Sequence, residues 1–177
     1  DWNDTVKNLD ENFEVFCPAL FDWLQETEFC YTNLYQSFEK YCDQFCEPLV
    51  LGGLSLGGIL ALQYAINHSD KVKSLILIGT QASMPKKLLK FQNIIFRFLP
   101  NMVFQEMGAT KKEIICLCNS MLDLDFTQNL KNIRCKTIIL CGKNDKANYI
   151  AATQLKEQIS TSEFLVVPNA GHEINKD

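Results

Sequence analysis

Several kinds of function are excluded by what this chain lacks. It has only two histidines and no C-x-x-C pair, so a zinc site has few ligands to draw on, although Cys42 and Cys46 lie one helical turn apart. Basic charge is not in excess. A net charge of −4 argues against nucleic acid as the main partner. No apolar run is long enough to span a membrane, and the opening Asp1-Trp2-Asn3-Asp4 carries none of the features of a signal peptide. No G-x-G-x-x-G is present, because Gly52, Gly53, Gly57 and Gly58 have the wrong offsets, and no Lys-Ser/Thr pair closes a phosphate loop. Neither a dinucleotide, another cofactor nor a metal is expected. Seven of the eight cysteines read as small apolar residues in or beside strands and helices (Cys17, Cys30, Cys42, Cys116, Cys118, Cys135, Cys141), which implies reduced thiols and a cytoplasmic protein.

What is present centres on Leu49-Val50-Leu51-Gly52-Gly53-Leu54-Ser55-Leu56-Gly57-Gly58-Ile59-Leu60-Ala61-Leu62. A strand-like apolar run meets a serine between glycines, and a helical pattern follows at once. Gly53-Leu54-Ser55-Leu56-Gly57 is a G-x-S-x-G pattern in a strand–turn–helix setting. A serine hydroxyl becomes a useful nucleophile when a tight turn holds it out of the sheet within reach of a base. Side chains at 53 or 57 would crowd such a turn, so Gly53 and Gly57 serve as elbow glycines. Leu56 opens the helix, and its free backbone N–H can face a developing oxyanion. The competing reading of Ser55 is a purely structural Gly-rich turn.

Taken in order, the chain opens on a short amphipathic helix (Trp2, Val6, Leu9), then alternates through Phe13–Cys17 as a strand stopped by Pro18. Thr32 can cap a second helix with Leu34, Phe38, Tyr41 or Cys42, and Phe45 on its apolar face. The helix after Ser55 runs to about His68. Lys73–Gly79 and Thr137–Gly142 are further strands, a helix from about Tyr149 to Ile159 follows, and Phe164–Val167 is the last strand. Solid apolar strands separated by helices predict an α/β protein, with a mainly parallel sheet covered on both faces. The alternation lapses at 84–133. There Leu88, Phe91, Ile95 and Leu99 share one face of a helix that Pro100 stops, and Thr110 with Glu113 makes a capping box for another. This segment reads as a small helical cap insertion over the active end of the sheet. The stretch 86–99 is both basic and apolar, so a membrane-surface contact is the alternative to a cap packed on the core.

A nucleophile at Ser55 needs a base and an acid from later strand ends. His68 ends the helix that Ser55 starts, where the helix dipole favours it. His172, in the loop after the last strand, is the candidate base. Asp145 leaves the end of its strand in the matching way and precedes His172, although a turn or cap aspartate is its plainer reading. Asp123 and Asp125 lie in the insertion and are second choices.

The elbow, the Gly142–Asp145 turn and Gly171-His172 together resemble the α/β-hydrolase superfamily, in particular its small esterase-like and lipase-like members. The resemblance runs over essentially the whole chain. It implies a three-layer αβα sandwich, a partial single domain over 1–177, and a Ser55–His172–Asp145 triad acting through an acyl-enzyme. It implies a small ester-like substrate, and the apolar insertion points to an apolar acyl or alcohol part. A thioesterase, amide or C–C bond hydrolase, an acyltransferase, or a non-catalytic interaction protein that kept the fold are alternatives, because fold alone does not fix chemistry. Two family features have no counterpart: the third strand, and the loop after it that supplies a second oxyanion donor. The expectation is therefore a chain truncated at its N-terminus. Without that donor it would lose on the order of 2.7–4 kcal/mol of transition-state stabilisation and could be inactive by itself.

Overall fold

The computed structural model describes residues 2–9, 12–106 and 108–175, with Leu88 described by its backbone alone. Eleven elements follow in chain order: α1 (Asn3–Lys7), α2 (Tyr31–Cys42), β1 (Leu49–Leu54), α3 (Leu56–Asn67), β2 (Val72–Ile78), α4 (Lys86–Phe98), α5 (Asn101–Gln105), α6 (Lys111–Ser120), β3 (Lys136–Gly142), α7 (Lys146–Gln158) and β4 (Ser162–Val167). Short 3-10 turns lie at Leu20–Leu24 and Thr127–Asn132. The chain divides into a sheet unit (1–18, 47–81, 128–177) and a helical unit (19–46, 82–127).

In the sheet unit the strands stand in the order β1-β2-β3-β4, every neighbour parallel. Register places Gly53, Leu77, Ile139 and Phe164 side by side across the sheet. Leu75, Leu77, Thr137 and Ile139 on that face are all buried, and α3 and α7 pack on the strands. Parallel neighbours force this arrangement, because each crossover needs a helix long enough to return the chain to the same end of the sheet. The other face is less covered: Ile76, Ile138 and Leu140 are half-buried, and Val50 and Leu165 are exposed. The result is a four-stranded parallel sheet flanked by helices.

Two expectations at the N-terminus change. Phe13–Cys17 forms no strand, and Phe13 and Phe16 are 61% and 50% exposed. Alternation supplies a strand's pattern but not its partner, and among the described residues this run joins no strand pairing. The opening helix forms as α1, yet none of its residues is buried. The helix expected from Tyr149 starts earlier, at Lys146, because the Asp145 side chain accepts the Asn148 N–H and caps it.

The helical unit is held by aromatic and amide contacts. Trp23 packs against Phe38 and Tyr41, and Phe96 meets Phe104 edge-on. Buried Asn93 donates to the Asn119 side chain at 2.8 Å. Thr110 and Glu113 form the expected capping box on α6. Thr32 does not cap α2. The first N–H of α2, from Tyr31, instead donates to Ser120 Oγ at 2.8 Å, so a tertiary partner does the cap's work. Residues 82–84 and 124–126 close the helical segment through a Ser83–Asp125 bridge and hydrogen bonds from Met84 N–H to Leu124 O and from Phe126 N–H to Ala82 O. The α4 face expected inward is turned out. Phe91 and Ile95 are exposed, Asn93 is buried, and the Leu88 side chain lies outside the described residues.

All eight cysteines are free. Cys42 and Cys141 are buried as expected, whereas Cys17 and Cys116 are exposed. Burial, reinforced by the Asp43 carboxylate, pushes the Cys42 thiol up to about 12; burial and Asp145 push Cys141 up to about 11. Both thiols therefore stay protonated and unreactive at neutral pH.

Candidate active site

Ser55 occupies the single residue between β1 and α3, with φ 51° and ψ −112°, a conformation that costs a non-glycine residue about 1–3 kcal/mol. Its neighbours hold it there. Ser55 N–H donates to Ile78 O at 2.8 Å, and Ser55 O accepts from Ile59 N–H at 3.0 Å. The glycines around it are not equivalent. A Cβ on Gly53 would lie 2.2 Å from the Gly57 carbonyl carbon, and one on Gly58 would lie 2.0 Å from Thr80 Oγ1. Gly57, expected to be needed against crowding, would meet nothing within 4 Å. The elbow needs its close approach at Gly53 and Gly58 instead. Leu56 is the first residue of α3, where N–H groups have no acceptor within the helix.

Asp145 and His172 come together. β3 ends at Gly142, and the turn that follows is tied to the loop after β4: Lys143 N–H donates to Val167 O, Asn144 N–H to Ala170 O, and Asn144 Nδ2 to Asn169 O. These bonds bring the imidazole to the carboxylate, with His172 Nδ1 2.7 Å from Asp145 Oδ2. The Asp145 side chain is only 6% exposed, against 40% for His172. A carboxylate so desolvated needs its lone pairs filled. Besides the imidazole, it accepts from Asn148 N–H at 3.3 Å and from Asn148 Nδ2 at 3.0 and 2.8 Å. Gln81 Nε2 in turn donates to Asn148 Oδ1 at 2.6 Å, fixing which way that amide points. With Nδ1–H directed at the carboxylate, Nε2 is left as the basic nitrogen.

Ser55 follows β1, on the other side of β2 from Asp145. Leu54 pairs with Ile78, so Ser55 follows in register beside Gly79. The imidazole rests on that same glycine: a Cβ at Gly79 (φ +52°) would lie 2.8 Å from His172 Cε1 and 2.9 Å from Nδ1. Adjacent strands run roughly 4.8 Å apart, so serine and imidazole share one end of the sheet. His68 does not join them. It closes α3, packed against Tyr64 with ring centres 4.5 Å apart and the planes tilted by 32°. Three supporting residues escaped the sequence reading. Asn148 carried a signal, the third position after a helix-capping Asp; Gln81 and Gly79 carried none, because only strand register brings them here.

The sheet, the strand–serine–helix elbow and the aspartate–histidine pair define an α/β-hydrolase architecture. Residues 21–114, more than half of the chain, match the family model described as the alpha/beta hydrolase fold, and the chain belongs to that family. A proline iminopeptidase of Pestalotiopsis fici is 25% identical, over 95% of this chain and 82% of that protein. Among solved structures, an alpha/beta hydrolase enzyme from a Medee basin deep-sea metagenome library superposes with a TM-score of 0.71 at 17% identity, covering 85% of this chain and 70% of its own. An esterase from Exiguobacterium antarcticum gives 0.67 at 21% identity, covering 89% and 70%. A hydrolase from Pseudomonas aeruginosa gives 0.67 at 17% identity, covering 81% of this chain and 65% of that one. The chain thus spans about two-thirds of the length of these structures.

Proposed function

We propose that the protein is a serine hydrolase that cleaves a carboxylic ester, or a related acyl bond, of a small apolar substrate through Ser55, His172 and Asp145. The observation that carries the reading is the 2.7 Å approach of His172 Nδ1 to a buried Asp145 carboxylate at the end of the sheet that Ser55 also occupies. His172 Nε2 takes the Ser55 Oγ proton as the oxygen attacks the carbonyl, and the oxyanion forms against the Leu56 N–H. His172 then returns that proton to the leaving alcohol, leaving Ser55 acylated. Water, deprotonated by the same nitrogen, attacks the acyl-enzyme; the carboxylic acid departs and Ser55 Oγ recovers a proton. Asp145 fixes the tautomer and steadies the imidazolium throughout.

A second reading follows from the iminopeptidase relative: an amide bond beside an N-terminal proline. The same triad serves, but such a substrate brings an ammonium group that a small apolar ester does not. A panel of p-nitrophenyl acyl esters and a proline arylamide, given to full-length protein, separates the two. The expected result is ester turnover that exceeds arylamide turnover by at least about tenfold in kcat/KM, the scale of 1.4 kcal/mol. Arylamide turnover above every ester would overturn the ester reading in favour of the peptidase.

A further inference from the structure

The sheet site leaves one large surface unexplained. On α4, Phe91, Ile94, Ile95 and Phe98 are 60%, 52%, 43% and 84% exposed, and on α5 Met102 and Val103 are 67% and 44% exposed. At 100° per residue the four α4 positions span an arc of about 100°, opposite the arc where Leu89, Gln92, Asn93 and Phe96 are buried or half-buried. Lys86, Lys90 and Arg97 line the border between the two arcs, and Lys87 sits at the N-terminal end of the outward one.

Charge says what this face meets. Six of the chain's 17 basic residues, Lys86, Lys87, Lys90, Arg97, Lys111 and Lys112, fall within 84–112, against one of its 21 acidic residues, Glu106. Lys86 is spoken for by Asp123, and Lys111 Nζ donates to Arg97 O at 3.2 Å; Lys87, Lys90, Arg97 and Lys112 lie in no ion pair with a described residue. A groove of about 470 Å³ beside α5, lined by Asn101, Gln105, Thr110, Lys111, Lys112 and Ile115, adds two ammonium groups and two amides at the flank of the apolar face. Among the described residues no helix is long and apolar enough to cross a membrane. An outward apolar arc bordered by cations, on a chain that is acidic elsewhere, has the make-up of a helix that lies in the plane of a lipid surface.

We propose that α4 and α5 dock the protein on an anionic membrane surface, with Phe91, Ile95, Phe98 and Met102 entering the acyl boundary and Lys87, Lys90, Arg97 and Lys111 meeting lipid phosphates. A protein pairing through this face would have to match an apolar arc and a basic border together; an anionic bilayer presents both partners at once.

Co-sedimentation with vesicles tests this on full-length Ser55→Ala protein, so the outcome does not depend on turnover. Binding is expected to vesicles containing phosphatidylserine and to be about tenfold weaker to pure phosphatidylcholine. It should weaken as salt is raised. Phe91→Ser/Phe98→Ser and Lys87→Glu/Lys90→Glu/Arg97→Glu should each weaken it by about tenfold or more; these residues are exposed, so circular dichroism should match the parent. Three results would overturn the proposal: no binding to either vesicle, equal binding to both, or binding indifferent to both variants. A dimer seen by sedimentation velocity, dissolved by Phe91→Ser/Phe98→Ser in a protein that ignores vesicles, would assign the face to a second copy instead.

Discussion

Asp145→Asn is expected to lower kcat by about four orders of magnitude while leaving the fold intact, the scale of loss when a triad carboxylate becomes an amide. The fold should survive because asparagine caps helices as well as aspartate, so α7 keeps its start. The site should not. Asn148 Nδ2 lies 3.0 and 2.8 Å from the two carboxylate oxygens, so an amide at 145 must set one NH2 against another or turn its oxygen away from the imidazole. The cap on α7 needs the oxygen at the Oδ1 position, where the Asn148 N–H donates, so the NH2 takes the Oδ2 position beside the imidazole. Nδ1–H then loses its acceptor, the tautomer shifts, and Nε2 no longer stands free to take a proton. Steady-state kinetics beside a thermal melt reads both halves. An unchanged kcat would remove Asp145 from the mechanism.

Gly53→Ala is expected to cost more stability than ordinary overpacking, upwards of about 3 kcal/mol, and to abolish activity with it. The new Cβ would fall on backbone, 2.2 Å from Gly57 C and 2.4 Å from Gly58 N, so no rotamer change relieves it. The strand and the helix must separate, and they fix Ser55. Gly57→Ala provides the contrast. Its Cβ meets nothing within 4 Å, and alanine is the better helix former by about 0.5–1 kcal/mol, so stability should hold or rise. Urea unfolding midpoints decide. Equal losses at both positions would mean that the elbow is not packed as described.

The sequence carried the sheet because its signals are local. The apolar runs at Leu75–Ile78 and Ile138–Cys141 have the length and β-branched content of strands, and the glycine–serine cluster at 52–58 marks the turn between β1 and α3. Asp145 and His172 were legible from their positions just past strand ends, without any knowledge of their separation. Two kinds of feature stayed out of reach. Features made by register, such as Gly79 beneath the imidazole and Gln81 behind Asn148, depend on which strands become neighbours. Features decided by the surroundings, such as Phe13–Cys17, which joins no strand pairing among the described residues, and the outward arc of α4, have the right periodicity, but periodicity does not say which side becomes covered. The same limit misread Gly57: a motif gives the spacing of small residues, whereas only the backbone path shows that Gly53 and Gly58 are the two pressed close.

The proposed catalysis requires Ser55 to be an activated nucleophile. Full-length protein treated with a fluorophosphonate, digested and analysed by mass spectrometry should carry one adduct, on the peptide containing Ser55, and lose it in Ser55→Ala and in His172→Ala. A protein that stays unlabelled, or that is labelled equally well in the His172→Ala variant, would contradict it.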